Sequence, residues 1–122
     1  MKTAKDYLEA ANAEVSRLQP ADAIARHGEA VFIDVRDSAD IAASGTVAGA
    51  LRIPRGFIEF AADDQTPFHN PLLQRDAEII LVCAAGGMAA LAGKTLAEMG
   101  YSNVSNGGGI SAWKEAGGPM EE

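Results

Sequence analysis

Cys83 is the only cysteine in the chain, and four of the smallest side chains follow it: Ala84, Ala85, Gly86 and Gly87. A loop without bulk can curl until its backbone N–H groups converge on one point, and a helix behind it adds partial positive charge at its N-terminus. An anion placed there is held. A thiol placed there is driven toward the thiolate, since cysteines at helix N-termini have pKa values lowered from about 8.5 to roughly 3.5 to 7.5. Unpaired cysteines more commonly serve as small hydrophobes at the end of a strand. That role needs no run of tiny residues after the sulfur, whereas a loop wrapped around a reacting sulfur does.

The stretch that must position this thiol is Glu78 to Lys94 (EIILVCAAGGMAALAGK). Ile79 to Val82 is a short apolar run suited to a strand buried on both faces of a parallel sheet. After the small loop, Leu91, Ala92, Thr95 and Met99 recur along one helical face. The unit is strand, small-residue loop, helix.

Other polar residues compete for a role. A second apolar run, Ala30 to Val35, ends at Asp34, Val35, Arg36 and Asp37. In a parallel α/β sheet the carboxyl ends of the strands form the functional edge, which puts Asp34 and Arg36 on the side of Cys83. A carboxylate beside a thiolate would raise its pKa, so a supporting salt bridge that pins a loop suits them better than direct catalysis. His27 falls in the last turn of a helix, where it complements the helix end. His69 lies in the polar, irregular connection Ala62 to Arg75, with no visible partner. The glycine cluster Asn106 to Gly109 lacks the spacing of a Walker loop or a dinucleotide fingerprint. A tight turn or close packing beside the cysteine loop is its expected role.

The remaining elements follow from periodicity and punctuation. Thr3 and Asp6 form a capping-box pattern ahead of Tyr7, Leu8, Ala11, Val15 and Leu18, predicting an amphipathic helix to about Val15. Pro20 starts a short second helix that carries Ala23 and Ile24 and stops at Gly28. Asp37 to Ser44 reads as a helix with Ile41 inward, closed by Gly45. Leu51 to Pro54 is a short strand flanked by Arg52 and Arg55. Phe57, Ile58 and Phe60 supply a helical turn of core anchors. Asn103 to Ser105 is a last strand, and Ile110 to Ala116 a last helix with Trp113 inward. Strands alternating with helices predict one α/β domain with a mostly parallel sheet. The expected division is an N-terminal helix over residues 1–15 packed on a domain over 16–122.

Composition narrows the function. The formal net charge is −7, which opposes nucleic-acid binding and repels small anions at long range, so an anionic substrate depends on local donors. One cysteine and two separated histidines supply neither an internal disulfide nor a metal cluster. The N-terminal segment carries acidic residues and no continuous apolar core, unlike a secretory signal. The longest uncharged run, Ile79 to Gly93, has two central glycines and falls short of the roughly 18 to 20 residues that cross a bilayer. A soluble protein of a reducing, cytoplasmic compartment is expected, with no membrane partner.

Taken together, the motifs resemble the single-domain rhodaneses, thiosulfate-type sulfurtransferases. The matching residues are Phe32 to Asp37 (FIDVRD), Gly45 to Leu51 (GTVAGAL) with Ile53 and Pro54, Phe68 to Pro71 (FHNP), Cys83 to Gly87 (CAAGG), Ala90 to Tyr101 (ALAGKTLAEMGY) and Asn106 to Pro119 (NGGGISAWKEAGGP). Each motif alone is weak; their order and spacing are specific. The resemblance implies a rhodanese-like α/β fold, a parallel sheet of about five strands with helices on both faces. It implies Cys83 as the catalytic nucleophile, with substrate held by the amides of Ala84, Ala85, Gly86, Gly87 and Met88 in a loop from Cys83 to Met88. The thiolate takes a sulfane sulfur from a donor such as thiosulfate, becomes a persulfide, and passes the sulfur to cyanide or a thiol. No metal or organic cofactor is implied. The expected state is a monomer or weak homodimer.

The chain departs from the family pattern in three places. Met88 stands where the catalytic loop usually carries arginine, Ala85 where thiosulfate-specific relatives often carry a cation, and Thr46 where histidine is common. Such losses weaken capture of a doubly charged donor and leave the nucleophile in place. Phosphatases and arsenate reductases of this fold need a longer loop and an arginine at the position of Ala89, so that class does not fit. The alternative to an enzyme is a non-enzymatic rhodanese-like module that carries sulfur or binds a protein.

Overall fold

In the computed structural model, which describes residues 1–122, helices and strands alternate along the chain. The first half runs α1 (Ala4–Glu14), β1 (Ser16–Arg17), α2 (Pro20–Ala25), β2 (Val31–Asp34), α3 (Ser38–Ser44), β3 (Thr46–Val47) and β4 (Leu51–Arg52). A 3-10 turn at Arg55–Phe57 leads into α4 (Ile58–Ala62). Then come β5 (Ile79–Cys83), α5 (Gly87–Glu98), β6 (Val104–Gly109), α6 (Ile110–Glu115) and β7 (Met120–Glu121).

Five strands form an all-parallel sheet in the order β1-β6-β5-β2-β4. The apolar run of β5 takes its centre, and all of its residues are buried. Alternation divides that strand between two cores. Ile79, Leu81 and Cys83 join Ala89, Ala92 and Leu96 of α5 on one face, while Ile80 and Val82 meet Phe32, Ile110 and Trp113 on the other. Because every strand of the sheet runs the same way, Arg17, Asp34, Arg52, Cys83 and Gly109 all lie at one edge.

Helix α1 begins with the expected capping box, Thr3 and Asp6 each accepting from the other's backbone N–H. It lies on α5, and Gly93 permits the approach: a Cβ there would stand 2.9 Å from a Val15 methyl. Ala11 and Val15 are buried, but Tyr7, expected on the apolar stripe, is exposed.

Three expectations are corrected. Of the aromatic turn after β4, only Ile58 is a core anchor. Helix α4 turns Ile58, Ala61 and Ala62 inward at helical spacing, which leaves Phe57 and Phe60 on the surface, where they cluster with Phe68. The last strand does not end at Ser105; β6 continues through the glycine cluster to Gly109, with a register shift that pairs Leu81 with Asn106 and Val82 with Gly108. Two further pieces of sheet, β1 and the antiparallel pair β3–β7, occupy segments that sequence periodicity leaves as connections.

The long irregular connection from Asp63 to Glu78 is held from beneath. The hydroxyl of Tyr101 donates to the carbonyls of Ala62 at 2.7 Å and Leu73 at 3.2 Å, and Leu73 itself is buried.

Candidate active site

Cys83 ends β5 at the carboxyl edge of the sheet with its side chain only 2% exposed. Its Sγ accepts from the N–H of Gly86 at 3.0 Å and from the N–H of Ala89 at 3.4 Å. The chain reaches this geometry because Gly86, the N-cap of α5, takes a left-handed conformation at φ 105° that turns its amide back toward the sulfur. Ala89 lies in the first turn of α5, whose N–H groups have no partner within the helix.

The expected loop is thereby shortened. Residues 84–86 form the turn, and Gly87 and Met88 are already helical. Among the amides expected to hold substrate, only that of Gly86 donates to the sulfur; the second donor, Ala89, lies beyond the expected loop. Counting the unpaired amides of a first helical turn from Gly86 reaches it. The N–H groups of Ala84, Ala85, Gly87 and Met88 donate to no other group of the chain.

Asp34 and Arg36 form a buried unit at the next strand end. Arg36 donates through Nε and Nη2 to the Asp34 carboxylate at 2.8 to 3.2 Å, and its backbone N–H reaches the same group at 3.0 Å. Thr46 Oγ1 donates to Asp34 at 2.7 Å, while the rest of the guanidinium donates to Ser44 Oγ and the Gly45 carbonyl. The pair ties β2 to the turn between α3 and β3. None of these contacts reaches Cys83.

The other candidates are also engaged elsewhere. His27 bonds the Ala48 carbonyl at 2.7 Å and packs against Phe32 and Trp113. His69 bonds the Leu73 carbonyl at 3.0 Å within its own connection. Arg55 pairs with Glu59 and donates to Thr95 Oγ1. Arg52 pairs with Glu121, whose carboxyl lies below the usual carboxylate range because the Gly49 N–H donates to it and Arg52 stands beside it. No group of three or more His, Cys, Asp or Glu side chains is placed to hold a metal ion, and no helix is long and apolar enough to cross a membrane.

Two further residues touch the cysteine turn: Asn106, from the cluster expected beside it, and Arg17, to which the sequence assigns no role. Asn106, fully buried, donates from Nδ2 to the Gly86 carbonyl at 2.8 Å, and its Oδ1 accepts from the Gly108 N–H. Arg17 donates from Nη2 to the Ala85 carbonyl at 3.0 Å. The expectation of close packing by the glycine cluster is met at Gly109, where a Cβ would press into the Ala84 carbonyl group. Beside the turn, Tyr7 and Leu8 of α1 face Met88 and Leu91 of α5 across an open groove of about 540 Å³, with Arg55 at its border.

Comparisons with known proteins identify the family. The family model for the rhodanese-like domain matches residues 18–116. The chain is 36% identical over 95 residues to the Arabidopsis thaliana protein HIGH ARSENIC CONTENT 1, mitochondrial, covering 70% of this chain and 53% of that protein. It therefore spans about half the length of that relative. A Rhodopseudomonas palustris structure described as a possible tyrosine phosphatase superposes with a TM-score of 0.92 at 38% identity, covering 99% of this chain and 96% of the other. The polysulfide-sulfur transferase homodimer of Wolinella succinogenes follows with a TM-score of 0.73 at 30% identity, covering 96% and 85%. With its parallel sheet and a cysteine at the end of the central strand, the chain belongs to the rhodanese-like domain family.

Proposed function

We propose that the protein is a sulfurtransferase that works through a persulfide on Cys83. The observation that carries this is the sulfur itself, held at the end of β5 by two N–H groups, while those of Ala84, Ala85, Gly87 and Met88 in the adjoining turn have no acceptor in the chain. Donors aimed at sulfur stabilise the negative charge of the thiolate, and the amides of the adjoining turn that lack acceptors can meet the charge that a persulfide carries on its outer sulfur. With thiosulfate, the Cys83 thiolate attacks the outer sulfur, the S–S bond breaks, and sulfite leaves with the bonding pair. Cyanide or a thiol then attacks the outer persulfide sulfur and regenerates the thiolate. Sulfur moves with its oxidation state, so no external oxidant, metal or organic cofactor takes part.

The groove beside the turn bears on the donor. Its walls are Tyr7, Leu8, Met88 and Leu91, and its one cation, Arg55, is already paired with Glu59. Such a surface suits the apolar part of an organic persulfide better than a small, doubly charged anion. Phosphate and arsenate chemistry fit less well, because Ala89 offers no guanidinium to grip an oxyanion from the loop. The working partners in this proposal are a small sulfur donor and a thiol or cyanide acceptor in a reducing, cytoplasmic setting, with the protein as a monomer or weak homodimer.

Purified protein assayed with cyanide should yield thiocyanate from an organic persulfide and, with lower kcat/KM, from thiosulfate. It should release no phosphate from an aryl phosphate. Phosphate release without thiocyanate formation would overturn the proposal. Binding of persulfide sulfur without turnover would favour the sulfur-carrier module instead.

A further inference from the structure

We propose that Arg17 is the positioning residue of the Cys83 site, acting through the Ala85–Gly86 peptide. The two ends of that single peptide unit carry the argument. Its carbonyl, on Ala85, accepts from Arg17 Nη2 at 3.0 Å; its N–H, on Gly86, donates to Cys83 Sγ at 3.0 Å. The next peptide is held the same way, with the Gly86 carbonyl accepting from Asn106 Nδ2 at 2.8 Å and from the Ala90 N–H at 3.0 Å.

This arrangement follows from strand register. Arg17 and Asn106 are direct partners across the parallel β1–β6 pair, so their side chains leave the sheet edge together and meet consecutive carbonyls of the turn. Space for the guanidinium comes from two glycines in left-handed conformation. A Cβ on Gly86, at φ 105°, would stand 2.8 Å from Arg17 Cζ, and one on Gly108, at φ 86°, would stand 3.3 Å from Nη2. Arg17 joins no ion pair with a carboxylate, unlike Arg26, Arg36, Arg52, Arg55 and Arg75. Its positive charge is therefore directed at a peptide dipole and not cancelled by a neighbour. A charge-assisted bond to the carbonyl polarises the amide and strengthens its N–H as a donor to sulfur. Met88 leaves the turn itself without the usual cation; Arg17 supplies one from the edge strand.

The test does not need sulfur transfer to occur, although the meaning of the residue for catalysis rests on that proposal. Alkylation of Cys83 by iodoacetamide at pH 7 should slow about two- to fourfold in Arg17→Gln, the scale of a roughly 10–30% weakening of one charge-assisted hydrogen bond. Arg17→Lys, which keeps the charge, should recover most of the rate. With an organic persulfide donor, Arg17→Gln should lower the rate of persulfide formation and leave KM unchanged. Thermal midpoints of both variants serve as the folding check. Equal alkylation rates in Arg17→Gln and the native protein would overturn the proposal. So would a loss that Arg17→Lys shares, since that is the signature of a packing role. If the alkylation pattern holds while no persulfide forms from any donor, the assignment of Arg17 stands and the sulfur-transfer proposal fails.

Discussion

At the scale of single residues, the sulfur of Cys83 and the ion pair beside it make opposite demands. Cys83→Ser keeps the volume and an acceptor for the Gly86 and Ala89 amides, so the fold should be nearly unchanged. Sulfur transfer should disappear, with a thermal midpoint within about 4 °C of the native value, the shift expected for less than about 1 kcal/mol. Asp34→Ala reverses the pattern. It leaves the Arg36 guanidinium, 5% exposed, as an uncompensated buried charge and should cost about 3 to 5 kcal/mol in denaturant unfolding. Met88, exposed at the groove, tests donor choice. Met88→Arg should raise kcat/KM for thiosulfate about tenfold through one charge-assisted contact, and should leave a neutral organic persulfide unaffected. Equal gains on both donors would mean that the turn had changed shape.

The elements explain what a reader of the sequence can and cannot find. The β5-turn-α5 unit is legible because its signals are local: an apolar run, a cysteine, small residues, then helical spacing from Ala90 onward. The Asp34–Arg36 pair is legible as a structural tie because opposite charges two residues apart close a strand end. Strand β1 is not legible. It has only two residues, both exposed, and exists through its register with Ser105 and Asn106, far along the chain. Arg17 is missed for the same reason. The β3–β7 pair likewise joins Thr46–Val47 to Met120–Glu121 and has no local signature. Ala89 is missed because the loop was expected to run to Met88, whereas left-handed Gly86 starts the helix earlier.

Tyr101 carries a prediction at this same scale, since it fastens the long Asp63–Glu78 connection to the end of α5. Burial pushes its hydroxyl above the usual tyrosine value near 10, with the nearby Arg75 opposing and Asp64 and Asp63 adding to the rise. The folded state favours the neutral phenol. Stability from this group is therefore present below pH 10 and lost as pH rises through the folded-state value. Unfolding midpoints measured across that range should fall on the alkaline side, and Tyr101→Phe should flatten the fall. An unchanged alkaline slope in the variant would mean that ionisation elsewhere controls it.

Across the whole molecule, the parallel sheet gathers the strand ends, and with them Arg17, Asp34, Arg52 and Cys83, at one edge. The order of motifs along the chain is enough to identify the architecture, because each marks a strand end or a helix start. Which of the gathered side chains touch the sulfur's turn depends on contacts between residues distant in sequence: Arg17 with Ala85, Asn106 with Gly86, Gly109 with Ala84. The chain carries a formal net charge of −7, so any anionic donor depends on local amides against a repulsive long-range field. The proposed chemistry turns on whether the Cys83 sulfur accepts another sulfur. Intact-mass spectrometry of the native protein and Cys83→Ser, after incubation with an organic persulfide or thiosulfate, reads that event directly. The account predicts a gain of about 32 Da on the native chain, mapped to Cys83, removed by cyanide and absent from the serine variant. No gain from either donor, or the same gain in Cys83→Ser, would contradict it.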